Sequence, residues 1–420
     1  MPAGESDDAK DAANAALRAC RARLDLGDIA GAEASLMAAL VGGDPEVVER
    51  LQASPEYAET LLGAQLMENT AVEAFGDKFG SVRESVDDWK KGGEVLVDYD
   101  ALGMPIDEAT ARVLPEKPKF TLFYTFRGKV LEIKTVGVIP TRCGRLLPSL
   151  AGFVAMYSET DLWDQWHPIV AGKGPFVKWK KRPYHNLWQV PLKIFMQRHV
   201  ELVEHRFHFL RQQGLLLMSL DGKPPGHKLW EAHPPPRSHK VMPGYNEIRV
   251  AIAARDLLSH FSTTVTVHLE YALPEFVVRF IVSWLLPEAI RRQLRAGAEC
   301  LKERGPYAER LRADADGLYA ECVRLADCGA SLGPAGAGPP LTSELAAGRA
   351  GSLVVFDRAL RARSPELAPK PAPLPAAFVD EVVQIQEHQQ YEDGVCEDPA
   401  DLVRPSGSAR SWGCWCVAFG

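Results

Sequence analysis

Residues 197–209 crowd four charged side chains and three histidines into one short stretch: Arg198, Glu201, Glu204 and Arg206 interleave with His199, His205 and His208 among valines and phenylalanines. As a strand, it places Val200 and Leu202 on one face and Val203, Phe207 and Phe209 partly on the other. That slip in alternation predicts a bulge or a strand buried on both sides. Near the slip a charge faces inward, and the choices are Arg198, Glu201, Glu204 and Arg206. An inward arginine and glutamate would pair and offer a partner to a hydroxyl or phosphate. The competing arrangement is a solvated ladder, the ordinary fate of such charges. His199 and His205 share one side at even spacing and His208 points to the other, while His167 stands apart; none forms a metal-ligand pattern with the eight scattered cysteines. No glycine-rich phosphate loop, G-x-S-x-G elbow or HExxH occurs. The sequence therefore predicts no metal, no cofactor and no catalytic centre.

The elements that must hold these residues follow from periodicity. The chain has 420 residues, 46% of them apolar, with a formal net charge of -7, which argues against a nucleic-acid partner. Its acidic opening lacks a basic segment followed by an apolar stretch, so an intracellular, cytoplasmic protein with reduced thiols is expected. Residues 1–69 read as a helical hairpin: alanine-rich, with Leu17, Leu24, Ile29, Leu36 and Leu40 apolar and glycine-bearing breakers at 27–28 and 42–45. Gly27-Asp28-Ile29 with Ala32, Leu36, Ala39 and Pro45 resembles half of a tetratricopeptide repeat. A lone unit is expected to pack on its neighbour, with a protein partner at the N-terminal helices as the alternative. A short helix is expected over 82–91. Strands follow at 121–126 and 130–139, joined by a turn at Arg127-Gly128-Lys129. A helix is expected over 142–158, then strands at 176–181, 186–190, 197–209, 214–220, 247–254 and 262–271. The last places Thr263, Val265, Val267, Leu269 and Tyr271 on its buried face. A long helix over 274–303 opens on Pro274 and kinks at Pro287. In it Phe276, Phe280 and Trp284, widened by Val277, Ile281 and Leu285, form a stripe expected to be buried; the apolar run is too short to span a bilayer. A helix over 306–326 follows. Residues 331–420, rich in proline, glycine and alanine, read as a disordered tail. Its end, 411–420, carries Cys414 and Cys416 without a prenylation box, leaving acylation, docking or no role.

Three words in this order carry a family resemblance. Val136-Gly137-Val138-Ile139-Pro140 leads through a helix to Leu162-Trp163-Asp164-Gln165-Trp166-His167-Pro168; Val190-Pro191-Leu192 and Gln197-Arg198-His199 precede a long strand; and the strand 263–271 with Pro274 precedes the closing helix. Together these resemble the START (StAR-related lipid transfer) superfamily over about 119–304. His167 replaces the family's usual asparagine, and His199 stands where its aspartate would be. The resemblance implies an α+β helix-grip fold over 70–305, preceded by the helical hairpin 1–69 and followed by a helical extension 306–330 and the tail 331–420. It also implies a tunnel for one lipid, sterol or other hydrophobic small molecule, with transient membrane contact during transfer. Trp163 and Trp166 then sit either at the tunnel mouth or in the core. Arg198, Glu201, Glu204, Arg206, Phe280 and Trp284 complete the expected ligand contacts. Two other readings stay open: a helix-grip enzyme of the aromatic cyclase type, with His205 or Glu204 as acid or base, and an adaptor whose cavity is filled by its own side chains.

Overall fold

The computed structural model describes residues 7–331 with interruptions, and Leu353, Val354, Phe356 and Asp357. Residues 1–6, 27, 42–43, 76–88, 105, 144–146, 168–169, 171–176, 183, 195–196, 211–213, 301, 303, 315–316, 332–352, 355 and 358–420 lie outside that description. Most of the expected helix 82–91, most of the tail and the whole of 411–420 fall there. Where 82–91 is described, Lys90 and Lys91 begin a strand instead.

Four helices come first: α1 (Asp7–Asp25), α2 (Ile29–Leu40), α3 (Pro45–Gln52) and α4 (Pro55–Phe75). Asp28 caps α2 by accepting from Gly31 N–H, and Asp44 caps α3 ahead of Pro45 at its first turn. Buried Ile29, Ala32, Leu36 and Leu40 recur at helical spacing and face the neighbouring helices. Leu353 and Val354 join that cluster; Leu353 N–H donates to Glu33 and Tyr57 O–H to Asp357.

β1 (Lys90–Leu96), α5 (Glu108–Val113), β2 (Lys119–Arg127) and β3 (Val130–Pro140) follow. Gly128 adopts φ +63° in the β2–β3 turn, as glycine there allows. The expected helix 142–158 is shorter than its apolar run. Arg142–Cys143 (β4) and Leu147–Pro148 (β5) pair as a small ladder, and α6 spans only Ser149–Ser158. A 3-10 turn at Thr160–Gln165 leads to β6 (Val177–Arg182), β7 (His185–Ile194), β8 (Gln197–Leu210) and β9 (Leu215–Gly222). Then come α7 (Leu229–Ala232), β10 (Lys240–Val241), β11 (Tyr245–Arg255) and β12 (Leu258–His268). Among the described residues the large sheet runs β1-β2-β3-β12-β11-β9-β8-β7-β6, all antiparallel neighbours, with β10 parallel to β8. β12 ends at His268, so Tyr271 lies beyond it and is exposed, contrary to the expected alternation.

The long helix is built of α8 (Glu275–Phe280), a π-helical turn (Ile281–Leu285) and α9 (Leu286–Cys300). Pro287 has no N–H to donate, and the widened turn sits just before it. β1 meets this turn at Gly92, where a Cβ would lie 2.1 Å from Val282. α9 packs on α6, closing the inner face of the sheet: the helix-grip arrangement of an α+β fold. The stripe expected to be buried is buried only in part: Val277 and Ile281 are buried, but Phe276, Phe280 and Trp284 are 72%, 44% and 59% exposed, and Val278 and Val282 are buried in their place. Apolar residues cover this helix except along Glu275, Arg279 and Ser283, a face too wide for periodicity to choose which part of it meets the sheet.

α10 (Pro306–Ala313) and α11 (Leu318–Ala330) replace the single helix expected over 306–326. The break is at Asp314 and Gly317, with φ +35° and +69°; Asp314 accepts from Tyr319 and Ala320 N–H and so caps α11. The four N-terminal helices pack on the outer face of the sheet through Leu210, Leu215, Leu217, Ala251 and Ala253. That explains the irregular pattern of β8, whose pairing with β7 and β9 runs without a register shift. The strand is buried on both faces and carries no bulge.

Candidate functional site

The inner face of the sheet, α6, the 3-10 turn and α9 enclose two small lobes. One, of about 50 Å³, lies beneath α9 among Phe120, Phe153, Phe261, Thr263, Ile290 and Leu294. The other, of about 40 Å³, lies among Trp163, Val190, Leu192, Glu201, Val203 and Asn246. Tyr157, Trp166, His167 and Ile248 border both, so these four side chains form the partition between them.

Odd-numbered residues of β8 point inward, and this puts Glu201 in the second lobe, 6% exposed. Its Oε1 accepts from Asn246 N–H at 3.0 Å, and Asn246 Nδ2 lies 3.4 Å from Oε2. Burial pushes the Glu201 carboxyl up from 4.5 to about 7, and the Asn246 bonds offset only part of that. Gly222 on β9 makes the contact geometrically feasible. A Cβ there would stand 2.4 Å from Glu201 Oε1 and 2.7 Å from Asn246 O. An isolated glycine in a strand often marks such a close approach.

Other polar atoms around the lobes find no hydrogen-bond partner within the protein: Asn246 Oδ1, His167 Nδ1 and Thr263 Oγ1. His167 is buried and stacks on Trp163 at 5.9 Å; burial pushes its imidazole down to about 4, leaving it neutral at pH 7. Trp163 is held by the fold, its Nε1–H donating to Met156 O at 2.8 Å and its ring edge-on to Trp188. Arrangements of this kind, mostly apolar walls with a few polar groups, orient one end of a bound molecule.

Glu201, Trp163 and Trp166 thus come together, and the other sequence candidates do not join them. Arg198 is exposed near the start of β8. Glu204 and Arg206 occupy even positions and face the opposite side of the sheet. There Glu204 accepts from Lys223 Nζ at 2.7 Å and lies 2.6 Å from His185 Nε2 and 2.9 Å from Arg206. Phe280 and Trp284 are exposed and line neither lobe. His205 does point inward, wedged between Trp188 at 4.3 Å and Phe207 at 4.2 Å. Among the described residues no three His, Cys, Asp or Glu side chains are grouped to hold a metal, and no helix is long and apolar enough to cross a membrane.

Sequence reasoning missed Asn246, Gly222, Tyr157 and Thr263 as site residues. Asn246 has no local signal, since its carboxylate partner lies 45 positions away. Gly222 had one, a lone glycine ending a run of leucines.

The outer-face cluster separates stability from binding. Glu204→Gln leaves Lys223 and Arg206 without their buried carboxylate and is expected to cost about 3 kcal/mol in urea unfolding. Ligand uptake should be unchanged, because the side chain lies across the sheet from the lobes; a loss of uptake at equal folded fraction would contradict that placement.

No protein-family model matches the chain, and no curated protein matches it. Among solved structures it is similar to human STARD10, at 10% identity and TM-score 0.35, over 58% of this chain and 86% of that one. It is also similar to a STAR-related lipid transfer protein fragment from Xanthomonas axonopodis, at 10% identity and TM-score 0.32, over 49% and 99%. A third is the lipid transfer and protein localization domain of human StarD13, at 12% identity and TM-score 0.30, over 47% and 94%.

Proposed function

We propose that this protein binds a single apolar molecule between the sheet and α9, and that the molecule carries one hydrogen-bond donor, a hydroxyl or an amine, that meets Glu201. The observation that carries this reading is the buried Glu201–Asn246 pair in an aromatic and aliphatic lining, with unpartnered polar atoms of His167 and Asn246 in the same lobe. A phosphate is disfavoured there, since the second lobe has a carboxylate and no cation in its lining. Affinity comes from area: each buried methylene contributes about 0.8 kcal/mol, and the donor sets the direction of insertion.

Ligand pockets usually measure roughly 300 Å³ or more, so the two lobes must merge and widen for a lipid to enter. The partition residues Trp166 and His167 and the helix α9 are the parts whose displacement would join them. Binding, with or without transfer between membranes, is proposed in preference to catalysis, because His205 is packed between two rings and Glu204 lies on the other face. The small volume of the lobes favours a second reading, an adaptor whose fold holds nothing.

Native mass spectrometry of the full chain, with organic extraction of what co-purifies, tests this. One molecule per chain, bearing a hydroxyl or amine and displaced by Glu201→Leu, is the expected result. A chain that carries nothing and takes up no sterol, ceramide, fatty amine or phospholipid would leave the adaptor.

A further inference from the structure

Residues 353–357 lie well beyond the end of α11 at Ala330, yet their described side chains are seated on the N-terminal helices. Leu353 and Val354 are fully buried in the cluster that α1–α4 form on the outer face of the sheet, and Phe356 packs against it, partly buried. Leu353 N–H donates to Glu33 Oε1 on α2 at 2.6 Å. Asp357 is buried and accepts from Tyr57 O–H on α4 at 3.2 Å. α2 and α4 pack against each other, so the segment bridges two neighbouring helices with a polar contact near each of its ends.

This is the pattern of a short recognition motif, Leu-Val-x-Phe-Asp. Apolar anchors supply contact area, and the flanking polar contacts fix direction and register. Glu33 takes a backbone N–H, which every residue but proline offers; the Tyr57 hydroxyl takes a side-chain carboxylate and so selects an acidic residue. The helical layer has its own reasons to fold. Asp28 and Asp44 cap its helices, and α1–α4 with the sheet residues Leu210, Leu215 and Leu217 supply most of the cluster, to which the segment adds Leu353 and Val354. The segment does not stand alone in the same way. Ordering it costs entropy comparable to what two buried aliphatic side chains and two hydrogen bonds return. A contact so balanced opens and closes. Tethering in the same chain, at an effective concentration on the order of a millimolar, keeps it filled.

We propose that the surface shared by α2 and α4 around Glu33 and Tyr57 is a docking site for a short apolar-acidic motif, and that residues 353–357 fill it reversibly as the chain's own plug. While the plug is in place, the site is closed to any competing segment of the same pattern. The site lies on the helices covering the outer face of the sheet, so the proposal stands whether or not the interior lobes hold a ligand.

A fluorescent peptide copying residues 350–360, added to the full chain, tests it. The full-length variant Leu353→Ser/Val354→Ser, whose plug is displaced, should bind the peptide; the parent should bind it roughly 10-fold or more weakly, because its tethered segment competes. Adding Tyr57→Phe to that variant, or Asp357→Asn to the peptide, should lower the affinity roughly 10-fold through loss of one hydrogen bond to a carboxylate. Peptide bound to the variant should slow hydrogen exchange in α2 and α4 and leave α6 and α9 unchanged. Circular dichroism and melting temperature should stay close to the parent's. If the double variant melts early, Asp357→Asn in the full chain takes its place with the same expectation. Early melting of both would make the segment a structural part of the helical layer and overturn the proposal. So would a folded variant that binds no peptide, equal affinity for parent and variant, or a concentration-dependent dimer of the parent that the variant abolishes, since that dimer would seat the segment of one chain on the helices of another.

Discussion

Glu201→Gln is expected to stabilise the folded protein by about 3 kcal/mol at pH 8 and to flatten one component of its pH dependence. Burial raises the folded carboxyl from 4.5 to about 7, so the folded state holds its proton more tightly than the unfolded chain does. Below pH 4.5 both states are protonated and Glu201 carries no penalty. As pH rises from 4.5 to 7 the unfolded chain ionises first, and stability falls; above 7 the penalty is constant. Glutamine still accepts from Asn246 N–H and has no proton to lose, so the penalty disappears. The difference between variant and parent isolates this group. His167 and His208, pushed down by burial to about 4 and about 3, act in the opposite sense: their stabilising neutral forms are lost as pH falls. Urea unfolding of both proteins at pH 4, 5.5, 7 and 8 measures it. A pH-independent difference would place Glu201 in contact with water or a cation. The same variant sorts ligands: a hydroxyl retains an acceptor in glutamine, whereas an amine loses its counter-charge.

Gly222→Ala is expected to be the most damaging single methyl in the site. The added Cβ would stand 2.4 Å from Glu201 Oε1, 2.7 Å from Asn246 O and 2.9 Å from Asn246 N. Two of these three neighbours are backbone atoms of the adjoining strand β11 and cannot swing aside. Either β9 and β11 separate or Glu201 leaves Asn246 N–H. Overpacking of this kind costs roughly 1–3 kcal/mol, and loss of the carboxylate's buried hydrogen bond adds to it. A lowered melting temperature together with loss of ligand retention is the expected outcome. Gly222→Ala combined with Glu201→Ala should recover part of the stability and none of the retention, since the shorter side chain vacates the space. If the single variant melts with the parent, the close approach of β9 to Glu201 is not as described.

Local sequence was sufficient for elements whose cause is local. The β2–β3 hairpin follows from Arg127-Gly128-Lys129, where glycine takes the positive φ, and the capped helix α2 follows from Asp28 and its Ile29, Ala32, Leu36 spacing. Pro274 and Pro287 announced the start and the irregular turn of the long helix for the same reason: a missing N–H is a property of one residue. Likewise β8 revealed that it carries a charge inward. Which charge it is depends on the helices packed behind the strand. With α1–α4 covering the outer face, Glu204 and Arg206 lie between two layers and pair there, while Glu201 faces the lobes. The long helix posed the same problem, because over 276–286 its apolar residues cover every side but that of Arg279 and Ser283. Contact with β1 at Gly92 settled that Val278 and Val282 go in and Phe280 and Trp284 stay out. Sequence determines what a segment is able to bury; tertiary packing decides which side of it is buried, because only the neighbouring layer supplies the partner surface.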